Sequence, residues 1–159
     1  MLVLAVLLAG CAGPVKIPPP QPKPQVRKLC ARLAQRLPQQ LGERERRPTQ
    51  PDSPLVAAWG DPPVALRCGV GRPDALRPTS RLAVVNGVEW LPESAPKPRR
   101  FVTVHRAAYV QVIMPERTGV PAGDVLVNLA DPIKATIPKG TATLRSPANG
   151  GSAQTRGAT

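Results

Sequence analysis

The chain has 159 residues, with 22 Lys or Arg against 10 Asp or Glu, and therefore a formal net charge of +12 at pH 7. This length suits one ordinary domain and excludes a multidomain enzyme, a polytopic membrane protein and a long coiled coil. The 22 prolines and 13 glycines leave a modest supply of core residues, so a covalent cross-link would contribute strongly to stability.

Residues 1–10 have the pattern of a secretory signal peptide. The run of apolar or small residues from Leu2 to Gly10 is shorter than the roughly 20 apolar residues that cross a bilayer. The string Leu8-Ala9-Gly10-Cys11 resembles the lipobox of bacterial lipoproteins. That resemblance implies lipid such as palmitate on Cys11 and anchoring to the outer face of the plasma membrane. Because no Lys or Arg precedes the run, an N-terminal membrane helix is the alternative anchor.

Composition separates a central domain at residues 26–138 from two segments of low complexity. Residues 11–25 hold the lipidated cysteine and a proline-rich stretch, which we expect to form an extended tether of up to about 43 Å at about 3.1 Å per residue. A proline-rich recognition motif is the alternative. Residues 139–159 are rich in Gly, Ser, Thr and Ala, and we expect them to be a disordered tail.

The domain opens with a predicted amphipathic helix over Val26 to Leu37. Its apolar face comprises Cys30, Leu33, Ala34, Leu37 and Leu41. Further along, Val64 to Val70 alternates as a strand that places Cys68 on its apolar side. Two cysteines that face the core of a secreted protein are expected to pair, so we predict a Cys30–Cys68 disulfide. Two buried free thiols are the alternative.

Two hairpins follow the Cys68 strand. Asn86-Gly87, inside Leu82–Leu91, predicts a type I′ turn, because that turn needs positive φ at both central residues. The resulting register places Ala83, Val85, Val88 and Trp90 on one face. A second hairpin pairs Phe101–Val104 with Ala108–Met114 and turns near His105 and Arg106.

Helical spacing then returns from Pro121 to Ile137, with a restart expected at Pro132. The predicted fold is therefore α+β: a small antiparallel sheet of about five strands packed by an N-terminal and a C-terminal helix.

Few residues could support catalysis. The single histidine, His105, falls at a predicted turn without a carboxylate at helical spacing, so we expect it to be solvated. Asp61, Glu89 and Glu93 form no pair that their spacing brings together. The string GVGRP at residues 69–73 does not suit a phosphate loop, because its proline opposes the helix that such a loop opens. We therefore predict no catalytic residue, no metal site and no cofactor.

Positive charge is the remaining indication of function. It concentrates in two predicted loop clusters, Arg44, Arg46 and Arg47 ahead of a turn-rich stretch, and Lys97, Arg99 and Arg100. Anionic lipid headgroups or wall polymers are the expected contacts, at about 1 kcal/mol per near-surface basic residue. Solvated loops that aid solubility are the alternative. Nucleic acid is not expected, because 2 Trp, 1 Tyr and 1 Phe offer little stacking surface and the compartment is extracytoplasmic.

Several short motifs are spread over about residues 14–138. They are Pro14-Val-Lys-Ile-Pro18, Ala58-Trp-Gly-Asp-Pro-Pro63, Leu66-Arg-Cys-Gly-Val70 with Arg72-Pro73, Val85-Asn-Gly-Val-Glu-Trp90 and Ala108-Tyr-Val110. Together they resemble an uncharacterised actinobacterial envelope family, itself a domain of unknown function. The resemblance implies secretion, an N-terminal membrane or lipid anchor and paired cysteines. It implies no activity.

These observations predict a noncatalytic cell-envelope lipoprotein, an accessory module that binds an envelope protein or an anionic wall polymer. The alternative is a small envelope hydrolase or transferase whose site is assembled from residues distant in the sequence. A cleft in which carboxylates converge, or in which His105 lies beside a carboxylate, would favour the enzyme.

Overall fold

A computed structural model of the chain describes residues 13–93, 98–117 and 119–140. The fold is α+β, as predicted: two helices pack on an eight-stranded antiparallel sheet, beside a two-stranded parallel sheet. The helices are α1 (Pro24–Arg36) and α2 (Ala122–Thr136). The strands are β1 (Val15–Lys16), β2 (Gln40–Leu41), β3 (Arg44–Arg47), β4 (Thr49–Gln50), β5 (Val56–Trp59), β6 (Val64–Val70), β7 (Ala83–Val85), β8 (Val88–Glu93), β9 (Arg99–Thr103) and β10 (Tyr109–Met114).

The large sheet has the spatial order β2-β3-β5-β6-β10-β9-β8-β7. The five predicted strands are β6 to β10, and they form one contiguous part of it. The predicted number of strands is too low because β2, β3 and β5 show no apolar alternation: β3 is Arg-Glu-Arg-Arg and all four residues of β5 are buried. The Arg44–Arg47 segment is therefore a strand paired with β5, and the prediction of a loop there is wrong.

Helix α1 begins with a proline in its first turn, where the missing N–H costs no helical hydrogen bond, and ends just before Pro38. The predicted apolar face is buried at Cys30, Leu33 and Leu37, and Ala34 is half-buried. Leu41 also reaches the core, but from β2 rather than from the helix.

A disulfide joins Cys30 in α1 to Cys68 in β6, which confirms the predicted pairing. The two residues are 0% and 1% exposed, and their Cα atoms lie 5.6 Å apart. The bridge spans 38 residues of sequence, and chain entropy gives such a cross-link about 4 kcal/mol of stabilisation. The helix and the central strand are thus covalently joined inside the core.

Helix α2 is continuous through Pro132, so the predicted restart there is wrong. Proline removes one backbone donor, but the buried side of the helix continues across it from Leu129 to Ile133. Packing on both sides of the proline therefore holds a single helix.

Both predicted hairpins are present. Asn86 and Gly87 have φ values of 45° and 75°, the positive values that a type I′ turn requires. β7 pairs with β8 in the predicted register, with Val85 opposite Val88. The second hairpin joins β9 to β10 through residues 104–108.

The N-terminal part of the described chain packs on the sheet, which differs from the extended tether expected over residues 11–25. β1 pairs in parallel with β4, and Ile17 is 5% exposed in a second apolar cluster with Val56 and Ala58. Arg67 Nε donates a hydrogen bond to Pro18 O over 3.2 Å. Proline lacks a backbone donor but keeps its carbonyl acceptor, so this segment can cross a sheet face while burying an apolar side chain.

The chain also stays attached beyond the predicted domain end at residue 138. Gly140 N–H donates to His105 O over 3.0 Å. The rest of the predicted tail, residues 141–159, lies outside the described residues, as do the predicted signal peptide and Cys11.

Replacing both bridge cysteines, as Cys30→Ala with Cys68→Ala, should lower the free energy of unfolding by about 4 kcal/mol, because the unfolded chain regains its loop entropy. Urea denaturation with and without a reductant measures this. The reductant should destabilise the wild-type protein and leave the double variant unchanged. Equal midpoints for oxidised and reduced wild type would contradict the role assigned to the bridge.

Ile17→Ala should destabilise the fold by about 2–3 kcal/mol, because it leaves a cavity in the second apolar cluster. Lys16→Ala, one residue earlier and exposed, should change the free energy of unfolding by less than about 0.5 kcal/mol. Urea midpoints of the two variants decide between a packed segment and a free tether, since a free tether would give both variants the wild-type midpoint.

Candidate functional site

A β-bulge at the end of β6 shapes one of the concave surfaces of the protein. Tyr109 pairs with Val70 and Val110 pairs with Cys68, which leaves Gly69 as the extra residue. Gly69 has φ +87°, and a Cβ there would lie 2.7 Å from Pro22 Cγ. Only glycine permits both the backbone conformation and this close approach of the N-terminal segment.

The chain after the bulge, residues 71–82, forms turns that arginine side chains hold together. Arg72 Nη2 donates to Leu76 O over 2.9 Å. The Arg77 amide donates to Ser80 Oγ over 2.8 Å, and Arg77 Nη1 donates to Asp74 O. Arg72 and Arg77 are exposed, and these bonds connect both side chains to the local backbone.

These turns enclose what we name the Arg72 cavity, with a volume of about 260 Å³. Its polar lining consists of Arg72, Arg77, Ser80, His105 and Tyr109. Leu76, Pro78 and Leu82 supply apolar wall, and no carboxylate belongs to the lining. The Arg72 cavity therefore presents two guanidinium groups, an imidazole, a phenol and a hydroxyl around one small space.

Two further cavities adjoin it, and Arg72 lines all three. One, of about 320 Å³, lies against Pro22, Lys23 and Val26 and shares Tyr109 with the Arg72 cavity. The other, of about 450 Å³, includes Asp74 and Glu93. Positive charge therefore dominates at the Arg72 cavity, whereas the carboxylates of Asp74 and Glu93 offset it in the cavity of about 450 Å³.

The His105 side chain is 60% exposed, as expected for a histidine at a turn, but it also has a carboxylate partner. Its Nδ1 lies 3.0 Å from Glu89 Oε2. His105 also has φ +54°, a conformation that non-glycine residues rarely adopt. The pairing could not be derived from spacing, because it joins residues 16 apart on β8 and on the turn after β9.

Arg106, next in sequence, holds that turn from inside. It is 4% exposed, and its Nη1 and Nη2 donate to Ile137 O over 2.6 Å and to Gly87 O over 3.2 Å. Burial lowers the pKa of the Arg106 guanidinium from its ordinary value, while the nearby Glu89 carboxylate raises it. The turn that carries His105 is thereby joined to the end of α2 and to the β7–β8 turn.

The first predicted basic cluster has mainly structural contacts. Arg46 stacks on Trp59, with its Cζ 5.4 Å from the ring centroid, and burial lowers the pKa of Arg46. Arg44 Nη1 donates to Pro62 O over 2.7 Å. Arg47 donates to Gly13 O over 2.6 Å. A cavity of about 540 Å³ beside Arg46 and Arg47 also contains Asp52, which opposes anion binding there.

The second predicted cluster is only partly described, because Lys97 lies outside the described residues. Arg99 and Arg100 belong to β9 rather than to a loop, with Arg99 exposed and Arg100 half-buried. Contact of either cluster with an anion stays a prediction.

Two searches of the described residues gave negative results. Among residues 13–93, 98–117 and 119–140, no three His, Cys, Asp or Glu side chains could hold a metal ion together. Over the same ranges, neither helix has the length and apolarity needed to cross a bilayer.

Sequence reasoning missed Arg72, Arg77 and Tyr109 as site residues. The signal that could have found the arginines is a repeated Arg-Pro dipeptide, at 72–73 and 77–78, within a turn-rich segment. Nothing local in the sequence places Tyr109 or His105 beside that segment, because the contact is made across the sheet end.

Comparison with known proteins gives one match. The family model described as "Protein of unknown function (DUF3515)" matches residues 1–142. No curated protein and no solved structure matches the chain.

Arg106→Ala should lower the free energy of unfolding by about 2–3 kcal/mol, because the carbonyl oxygen of the buried Ile137 loses its donor and the bond to Gly87 O is lost as well. Arg99→Ala removes the same charge from an exposed site and should change stability by less than about 0.5 kcal/mol. Thermal or urea unfolding of the pair measures the difference. Equal stabilities would show that Arg106 does not hold the turn.

Proposed function

We propose that this chain, which belongs to the DUF3515 family, is a noncatalytic module on the outer face of the cell membrane. Lipid on Cys11 anchors it, and the concave surface around the Arg72 cavity binds an anionic envelope polymer or an acidic envelope protein. Nucleic acid is not a proposed partner, and the module uses no cofactor.

The single observation that carries this proposal is the buried Cys30–Cys68 disulfide. Structural disulfides persist in oxidising compartments and are rare in the cytoplasm. The apolar residues before Cys11 and the lipobox-like string support the same location.

The packed N-terminal segment also fits a membrane-anchored protein. Val15, the first residue of β1, comes four positions after Cys11, and extended chain spans at most about 14 Å over those four steps. A lipid on Cys11 would therefore hold the folded domain close to the headgroups. In that position the surface around the Arg72 cavity would lie near anionic ligands next to the membrane.

The competing function, a small envelope hydrolase, is favoured by one observation, the His105–Glu89 pair beside a cavity that Ser80 also lines. A nucleophilic serine needs its base within hydrogen-bond reach. Ser80 Oγ instead accepts from the Arg77 amide and donates to Ala75 O, so it is bound within its own turn. These bonds support the noncatalytic function. Turnover of a chromogenic ester that His105→Ala abolishes would support the hydrolase.

Expression of the full chain in a bacterium that processes lipoproteins tests the proposal. Intact mass of the membrane-recovered protein should show loss of residues 1–10, a lipid-sized gain on Cys11 and a two-proton increase on reduction. Cys11→Ser should lose the lipid gain and leave the membrane fraction.

The matched control is Cys30→Ser with Cys68→Ser, which should keep the lipid while losing the reduction shift. A chain that starts at Met1, carries free thiols and stays in the cytosol would overturn the proposed location.

A further inference from the structure

We propose that the Arg72 cavity binds the phosphate group of an organic phosphate. This deepens the proposed function by naming a ligand class for the same surface. It rests on that function only for the source of the ligand, because the binding chemistry depends on residues of the cavity alone.

The Arg72 cavity carries positive charge on two side chains. Arg72 and Arg77 line the cavity, and no carboxylate does. Each guanidinium carries five N–H donors, and the hydrogen bonds from Arg72 and Arg77 to backbone carbonyls use only some of them. The remaining donors suit an anion, and they are held by turns that those same bonds fix.

The cavity is partly preorganised. Nδ1 of His105 lies 3.0 Å from Glu89 Oε2, and this bond orients the imidazole ring at the cavity lining. Arg106 and the Gly140 amide hold the turn beneath it. Strained backbone at His105, with φ +54°, is of the kind that clusters at binding sites.

The number of donors and the size of the space favour a phosphate over a carboxylate. A carboxylate is satisfied by one guanidinium through two parallel bonds, whereas a phosphate offers three or more oxygens that several groups can share. The volume of about 260 Å³ lies just below the usual range of ligand sites, and so fits a phosphate with a small organic substituent. Leu76 and Leu82 supply apolar surface for that substituent.

This mode of binding differs from a phosphate loop, which the sequence excluded. A phosphate loop uses backbone N–H groups at the start of a helix. Here the residues after Gly71 form turns, and the donors are the guanidinium groups of two Arg-Pro dipeptides and the hydroxyl group of Tyr109.

Calorimetric titration of the mature protein in a neutral detergent with phenyl phosphate tests the proposal. Arg77→Gln should weaken binding about tenfold or more, because it removes a charged hydrogen-bond donor from the cavity. Arg99→Gln removes the same charge from β9, outside the cavity, and should change the affinity less than twofold.

Glu89→Leu separates positioning from net charge, because it removes both the negative charge and the acceptor of the His105 Nδ1 hydrogen bond. If only net charge mattered, removal of this carboxylate would strengthen phosphate binding. We expect weaker binding instead, because His105 loses the partner that orients it. His105→Ala should weaken binding too, and Glu89→Leu should have little further effect in that background.

Two further titrations identify the source of the phosphate. One uses a soluble glycerol phosphate oligomer and the other uses vesicles of phosphatidylglycerol in phosphatidylcholine. Binding of either with the same dependence on Arg77 supports the proposal. Equal losses in Arg77→Gln and Arg99→Gln would overturn it, since they would indicate general attraction to a basic protein.

Failure of this inference is distinguishable from failure of the proposed function. A lipidated, membrane-recovered protein that does not bind phenyl phosphate would overturn the phosphate site and leave the location intact. A cytosolic, unprocessed chain that binds phenyl phosphate through Arg77 would overturn the proposed location and support the phosphate site.

Discussion

The covalent link between α1 and β6 is the constraint on which the rest of the structure depends. Cys30 and Cys68 are both buried, so the bridge fixes helix and sheet at the centre of the core rather than at its margin. Immediately after Cys68, Gly69 introduces the bulge that turns the chain out of the sheet. The concave surface therefore begins next to a part of the backbone that has little freedom. A small binding site needs such a rigid support.

The sheet is covered on both sides near β5, and this explains why an apparently unpromising N-terminal segment is ordered. Ala57 and Trp59 face the main core, while Val56 and Ala58 form the second cluster with Ile17. A strand buried on both faces belongs to a three-layer arrangement, here helices, sheet and a thin outer layer of extended chain. The outer layer contributes little area, but without it two apolar positions of β5 would face water.

Local patterns in the sequence predicted the elements that obey them. The Asn86-Gly87 turn, the alternation around Cys68 and the apolar face of α1 each depend on neighbours within one element, so periodicity and turn chemistry suffice. The short edge strands and β5 were missed because charge in β3 and two-sided burial in β5 erase the alternation. The site was missed for a different reason: Arg72, Glu89 and His105 meet only when the bulge and the second hairpin bring one end of the sheet together. Contacts between residues that are distant in the sequence produce no regular spacing, so the sequence pattern does not predict them.

The packing of residues 13–23 has a practical consequence for defining the domain. Composition places the domain boundary at residue 26, yet a chain shortened to that point would lose β1, Ile17 and the Pro22 contact with Gly69. It would also uncover β4 and the apolar positions Val56 and Ala58. A newly exposed strand edge beside an apolar patch is the usual template for association between copies of a chain. Proline-rich composition marks a segment that forms few internal hydrogen bonds, and here such a segment pairs with β4 and covers the apolar positions Val56 and Ala58.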